Sequence, residues 1–125
     1  MRFTDVEMTV ETKEKTVLTA VVKKTLAPIT ISRLIRASPI RTRMYMLGKN
    51  IVYFPVPVKA GDNSRLTELK RGDVFFWPLN NSIGIALEDS RLHQRLIPMG
   101  IVTEEVLNLK DQKRGMEVII KFEER

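Results

Sequence analysis

Turn-forming residues interrupt this chain so often that long regular elements are excluded over most of its length. Pro39, Gly48, Asn50, Pro55, Pro57, Gly72, Pro78, Asn80, Asn81 and Gly115 all fall between or at the ends of short apolar runs. Such residues supply the backbone conformations that reverse a chain and stop a helix or strand. The runs between them are rich in Val, Ile, Thr and aromatic residues, the composition of strands. Many short strands joined by such turns fold as a sandwich or a barrel, and the pattern alone leaves both open. A closed barrel has the advantage of removing exposed edges.

The spacing predicts strands over Val6 to Thr12 and Glu14 to Val22. Pro28 to Ala37 differs: Ile31, Leu34 and Ile35 recur at helical spacing, and Arg33 and Arg36 fall on the opposite face. Pro28 suits a first helical turn, and Pro39 lies just past the expected end. Ile40 to Leu47 then alternates, with Ile40, Thr42, Met44 and Met46 on one side and Arg41, Arg43 and Tyr45 on the other. Ile51 to Val56 returns as its hairpin partner, short or at an edge because of Pro55 and Pro57. Ser64 to Leu69 is expected to form a turn of helix and Glu88 to Leu96 a polar loop. Val74 to Trp77, Ser82 to Leu87, Met99 to Thr103 and Met116 to Glu123 read as strands, and Glu104 to Lys110 as a second, short helix. The chain is thus expected to be mainly β, one domain over residues 1–125.

Composition narrows the function classes. The chain is 43% hydrophobic and 29% charged, a balance of ordinary globular proteins rather than disordered ones. It has no cysteine, which excludes disulfides, thiolate metal sites and cysteine nucleophiles. No stretch approaches the roughly 18 consecutive apolar residues of a membrane span, and the first residues lack a signal-peptide core. These features give the expectation of a soluble, cytoplasmic protein. One histidine, His93, cannot build a typical transition-metal site and is expected in a loop. Asp62, Asp73 and Asp89 suit a hard cation or a turn equally. Neither a phosphate-binding glycine motif nor a nucleophile elbow occurs, and no metal or cofactor is expected.

The net charge of +6 is unevenly placed. No Asp or Glu occurs from Lys15 to Gly61, whereas Lys15, Lys23, Lys24, Arg33, Arg36, Arg41, Arg43, Lys49 and Lys59 all lie there. Two readings are open: a surface for anions, or a solvated basic face that aids solubility.

The stretch Arg71, Gly72, Asp73, Val74, Phe75, Phe76, Trp77, Pro78 resembles a motif of small prokaryotic proteins with a minimal cyclophilin-like barrel. The helix ending near Ser38 and Pro39, the run Ile51 to Phe54, and the closing series Met99 to Val102, Gly115 and Val118 to Ile120 are similar as well. The resemblance implies a closed eight-stranded barrel capped by a helix at each end. In true cyclophilins an arginine, a glutamine, aromatic residues and a histidine line a prolyl-isomerase groove. Arg41 or Arg43 can match the arginine, but the glutamine and most of the aromatic floor have no counterpart here. Tyr53, Phe54 and Trp77 could supply part of a floor.

The expected protein is therefore a barrel that binds, with little or no chemistry, an acidic small molecule or peptide. The groove is expected beside Ile40 to Leu47, Ile51 to Val56 and Val74 to Trp77, lined by Arg41, Arg43, Tyr45, Tyr53, Trp77 and Ser82. Alternatives are a weak peptidyl-prolyl isomerase using Arg43, and nucleic-acid binding through residues 15–61. The second is disfavoured by the scarcity of aromatic residues free to stack on bases.

Overall fold

The computed structural model describes residues 4–63 and 66–124. Ten strands and one α-helix follow in the order β1 (Asp5–Glu11), β2 (Thr16–Lys23), α1 (Pro28–Ala37), β3 (Ile40–Arg43), β4 (Tyr45–Leu47), β5 (Ile51–Pro55), β6 (Leu66–Leu69), β7 (Asp73–Trp77), β8 (Ser82–Ala86), β9 (Ser90–Glu105) and β10 (Glu117–Glu124). Nine strands form one antiparallel sheet in the order β3-β10-β1-β2-β9-β7-β8-β5-β4, and β6 pairs only with β9. The sheet begins and ends on consecutive pieces of chain, so it curls into a barrel that is nearly closed. The expected eight-stranded closed barrel is thus corrected to ten strands with a seam.

Alternation builds the interior. Val6, Met8 and Val10 of β1, Val52 and Phe54 of β5, Val74 and Phe76 of β7, and Val118, Ile120 and Phe122 of β10 all enter one buried cluster. Helix α1 adds Ile31 and Leu34 to that cluster, and Ala27, the residue just before it, joins them. Its first turn has no side-chain cap of its own. Asp62 replaces one: its carboxylate accepts from the Thr30 N–H at 2.7 Å and the Ile29 N–H at 3.4 Å. A carboxylate there satisfies amides that have no partner within the helix and offsets its positive end. Asp62, for which a hard cation and a turn were equally open, thus caps the helix.

At the other end the predicted helix over Glu104 to Lys110 does not form. Glu104 and Glu105 continue the ladder with β2, opposite Thr19 and Leu18. The Val106 and Leu107 amides then both donate to the Val17 carbonyl, at 2.8 and 3.1 Å. Only a 3-10 turn, Leu109–Asp111, follows, and it buries Leu109 in the core while Val106 stays exposed.

Two further expectations are overturned together. Leu66–Leu69, within the segment predicted as a helical turn, is a strand; Ser64 and Arg65 of that segment lie outside the described residues. Residues 90–96, predicted as a loop, are the first half of β9 and pair with β6. This short ladder lies over the outer face of the barrel, where Leu69, Leu92 and Leu96 pack on Ile51, Tyr53, Phe75, Trp77 and Ala86. The middle strands are thereby buried on both faces.

Two glycines permit close approaches. A Cβ on Gly84 would lie 2.3 Å from the Phe75 ring, which crosses β8 at that point. A Cβ on Gly100 would lie 2.0 Å from the Val21 carbonyl oxygen, where β9 and β2 pair. The second clash is with backbone, which cannot swing aside. Gly100→Ala is expected to lower the unfolding free energy by about 1–3 kcal/mol or more, the usual cost of overpacking. Urea unfolding would measure it, and a variant as stable as the parent would contradict the close packing.

The loop after β8 is pinned to the 3-10 turn by the ion pair of Glu88 with Lys110. The hydrogen bond and charge of Lys110 hold the exposed Glu88 carboxyl below the usual carboxylate range. A lowered folded-state value means that the pairing contributes at pH above the ordinary range and is lost as pH falls through the lowered value. Lys110→Met is expected to raise the Glu88 pKa, as followed by carboxyl carbon NMR; an unchanged titration would show that the pair does not form in solution.

Candidate functional site

The alternation of Ile40 to Leu47 survives although its ladder does not. Ile40 and Met44 are buried, Thr42 and Met46 half-buried, and Arg41, Arg43 and Tyr45 exposed. The strand breaks at Met44 because its two halves pair with different partners, β3 with β10 and β4 with β5.

Arg41 and Arg43 open onto a shallow cleft of about 330 Å³ on the outside of the barrel. Its walls come from three strands and a turn: Glu11 from β1, Lys13 from the turn after it, Glu117 and Ile119 from β10, and the two arginines from β3. The register explains the grouping. Ile119 sits opposite Glu11 on one side and Arg41 on the other, and Glu117 lies opposite Arg43. Cross-strand neighbours at that spacing touch.

The charges of the cleft are only partly matched. Arg43 donates to the Gly115 carbonyl at 2.8 Å and to Glu117 at 2.7 Å. Glu11 accepts an ion pair from Lys121 at 3.2 Å. Lys13 and Arg41 form no ion pair among the described residues. Two cations therefore face the cleft without an ion pair of their own among the described residues, beside the half-buried Ile119. Guanidinium and ammonium groups so placed suit a carboxylate or phosphate.

The remaining expected lining residues lie elsewhere. Tyr45, Tyr53 and Trp77 form a row on the outer surface, with Tyr45 to Tyr53 at 5.7 Å and Tyr53 to Trp77 edge-on at 5.5 Å between ring centres. Only Tyr45 is exposed; Trp77 is 8% exposed and donates its indole N–H to Gln94. Ser82 is fully buried and its hydroxyl donates to the Asn80 carbonyl at 3.0 Å, so it lines no groove. The single groove expected from sequence is thus corrected to a charged cleft and a separate aromatic row. Phe54 points into the barrel and Trp77 into the outer layer. Those two rings lie in different clusters and cannot share a floor.

The long acid-free block acquires carboxylates from distant sequence. Glu124 pairs with Lys24, Glu117 with Arg43, and Asp62 caps the helix between them. Arg33 donates to the Lys59 carbonyl at 3.1 Å. Lys13 and Ile119 were not singled out from sequence, because only the β3-β10-β1 order brings them beside Arg41. Asp73 accepts the Lys70 amide at 2.8 Å, a turn role, whereas Asp89 accepts the Arg71 amide at 2.9 Å from a distant stretch of chain and so ties two loops together. His93 is exposed on β9 rather than in a loop. Among the described residues no group of three or more His, Cys, Asp or Glu side chains could hold a metal ion, and no helix is long and apolar enough to cross a membrane.

The geometry defines a nearly closed, mainly antiparallel β-barrel with one α-helix. A solved structure of this architecture is the solution structure of the hypothetical protein AF2241 from Archaeoglobus fulgidus. It is similar with a TM-score of 0.78 and 19% identity, over 96% of each chain. At that identity the likeness establishes the fold alone. No family model matches the chain, and no curated protein matches it.

Trp77 is the sole tryptophan and lies between barrel and outer layer. Gln94→Leu would leave its indole N–H without this acceptor, at a cost of about 1–3 kcal/mol if it stays buried. The expected result is a blue-shifted emission maximum, from the less polar surroundings of the indole, and earlier loss of tryptophan signal in urea. Emission identical to the parent would show that Gln94 does not hold the indole.

Proposed function

We propose that this is a non-catalytic binding protein of the minimal cyclophilin-like kind, whose ligand is an acidic small molecule or a peptide bearing carboxylates. The ligand rests in the cleft of Lys13, Arg41 and Arg43. The observation that carries this reading is the pair of cations, Lys13 and Arg41, that line a cleft of about 330 Å³ without an ion pair of their own among the described residues. Arg43 is held in place by the Gly115 carbonyl and Glu117. It therefore adds charge at a fixed position, which reduces the entropy lost on binding. Half-buried Ile119 offers an apolar contact for the ligand's carbon skeleton.

The kinship is supported by the resemblance around Arg71 to Pro78, by the single long helix between β2 and β3, and by a final strand that pairs with the first. The binding reading is preferred to the isomerase one because Arg43 lies in the charged cleft while Trp77 is packed beneath the outer layer.

Thermal shift at low salt with inorganic phosphate, citrate and a hexaglutamate peptide tests the reading. A ligand that binds only the folded state stabilises it by about 2.7 kcal/mol at a hundred times Kd, which raises Tm by several degrees for a domain of this size. At least one probe is expected to give a saturable rise that Arg41→Ala removes and that fades with salt. No rise with any probe, or a rise unchanged in Arg41→Ala, would overturn the assignment.

A further inference from the structure

A second, chemically different cleft lies at the mouth of the barrel near the end of β9. Two adjoining hollows of about 310 Å³ each are both walled by Arg71, Leu87 and Glu105. One extends to Glu104, the other to Lys110. Lys110 is already paired with Glu88. Among the described residues Arg71, Glu104 and Glu105 form no ion pair, so the guanidinium stands more than ion-pair distance from both carboxylates although all three line the same cleft; its charge also acts on Glu88. Ala86 and Leu87, both largely buried, together with Val102 and Thr103 of β9 complete the lining.

The residue that carries the positive charge sits on a fixed support. The Lys70 amide donates to Asp73 at 2.8 Å, the Arg71 amide to Asp89 at 2.9 Å, and the Gly72 amide to the Ala86 carbonyl at 2.8 Å. Glu104 and Glu105 are likewise fixed at the backbone by their ladder with β2. Opposite charges are thus held apart by two rigid elements, which leaves room between them for a molecule carrying the complementary charges.

We infer that this cleft binds a zwitterion of the amino-acid or short-peptide class. Its carboxylate meets Arg71, where a planar guanidinium can make paired hydrogen bonds. Its ammonium meets Glu105, the one of the two adjacent glutamates that lines both hollows, and its carbon atoms lie beside Leu87. The sequence alone does not indicate this site: Glu104 and Glu105 read there as an adjacent pair whose side chains diverge, at the start of a short helix. Their place on a strand end beside the Arg71 turn is what creates it. The site is independent of the acidic-ligand cleft, which lies on β1, β10 and β3.

Amide NMR titration of the whole chain with glycylglycine tests the inference, with acetate and ethylamine as probes carrying one charge each. The expected result is a saturable shift of the Gly72, Leu87 and Thr103 amides by glycylglycine, with either single-charge probe at least about fivefold weaker. Arg71→Gln and Glu105→Gln replace exposed side chains, so the fold is expected to persist. Each should weaken glycylglycine about tenfold, while Arg41→Ala leaves it unchanged. Absence of saturation into the tens-of-millimolar range, equal binding of acetate or ethylamine, or unchanged binding in Arg71→Gln would overturn it.

Discussion

At Met44 the chain passes from one sheet partner to another, and the barrel depends on that exchange. Before it, β3 is paired with β10; after it, β4 is paired with β5. Met44 itself is buried, its N–H donates to the Met116 carbonyl at 3.0 Å, and its carbonyl accepts from Gly115 at 2.7 Å. One stretch of chain therefore serves as both edges of the sheet. What remains is a seam between β3 and the end of β5, where no ladder forms. Val56 donates towards β8, so by alternation Pro55 faces the seam, and its missing N–H leaves no unpaired donor there. Its carbonyl accepts the Thr42 hydroxyl. A side chain thus bridges the gap that backbone pairing leaves, and backbone groups that would otherwise be orphaned at a sheet edge are few.

The parts of the fold that could be read from sequence are those whose burial is simple. Helix α1 spans the predicted Pro28 to Ala37 because its apolar stripe faces one core and its ends carry prolines. Val118, Ile120 and Phe122 alternate because β10 has one wet face. The outer layer was not legible for a physical reason. Residues 90–96 carry Arg91, His93 and Arg95 outward, and this polar half obscures Leu92 and Leu96, which cover the barrel. The signal lay in the covered strands instead: Val74 to Trp77 and Ser82 to Ala86 are buried at every position. Such runs without alternation mark strands enclosed on both faces, and something must therefore lie over them.

The charged residues show a similar division. That Arg41, Arg43 and Tyr45 share a face followed from period-two spacing. Which acids meet them did not, because Glu11 and Glu117 arrive from strands at opposite ends of the chain. The acid-free block in sequence is a mixed surface in space, and only the cations left over after pairing, Lys13 and Arg41 among them, distinguish a cleft from an ordinary solvated face. The Tyr53 and Trp77 rings do meet edge-on, but the outer layer takes Trp77 out of reach of solvent.

The Phe75 ring lies in the space that a side chain on Gly84 would fill. The two positions face each other across the β7–β8 ladder. They consequently form one unit of inheritance rather than two. A change at 84 to any larger residue is admissible only after the residue at 75 has shrunk, and a small residue at 75 invites growth at 84. In divergent barrels of this shape, the pair should exchange bulk as a couple while the strands around it drift independently.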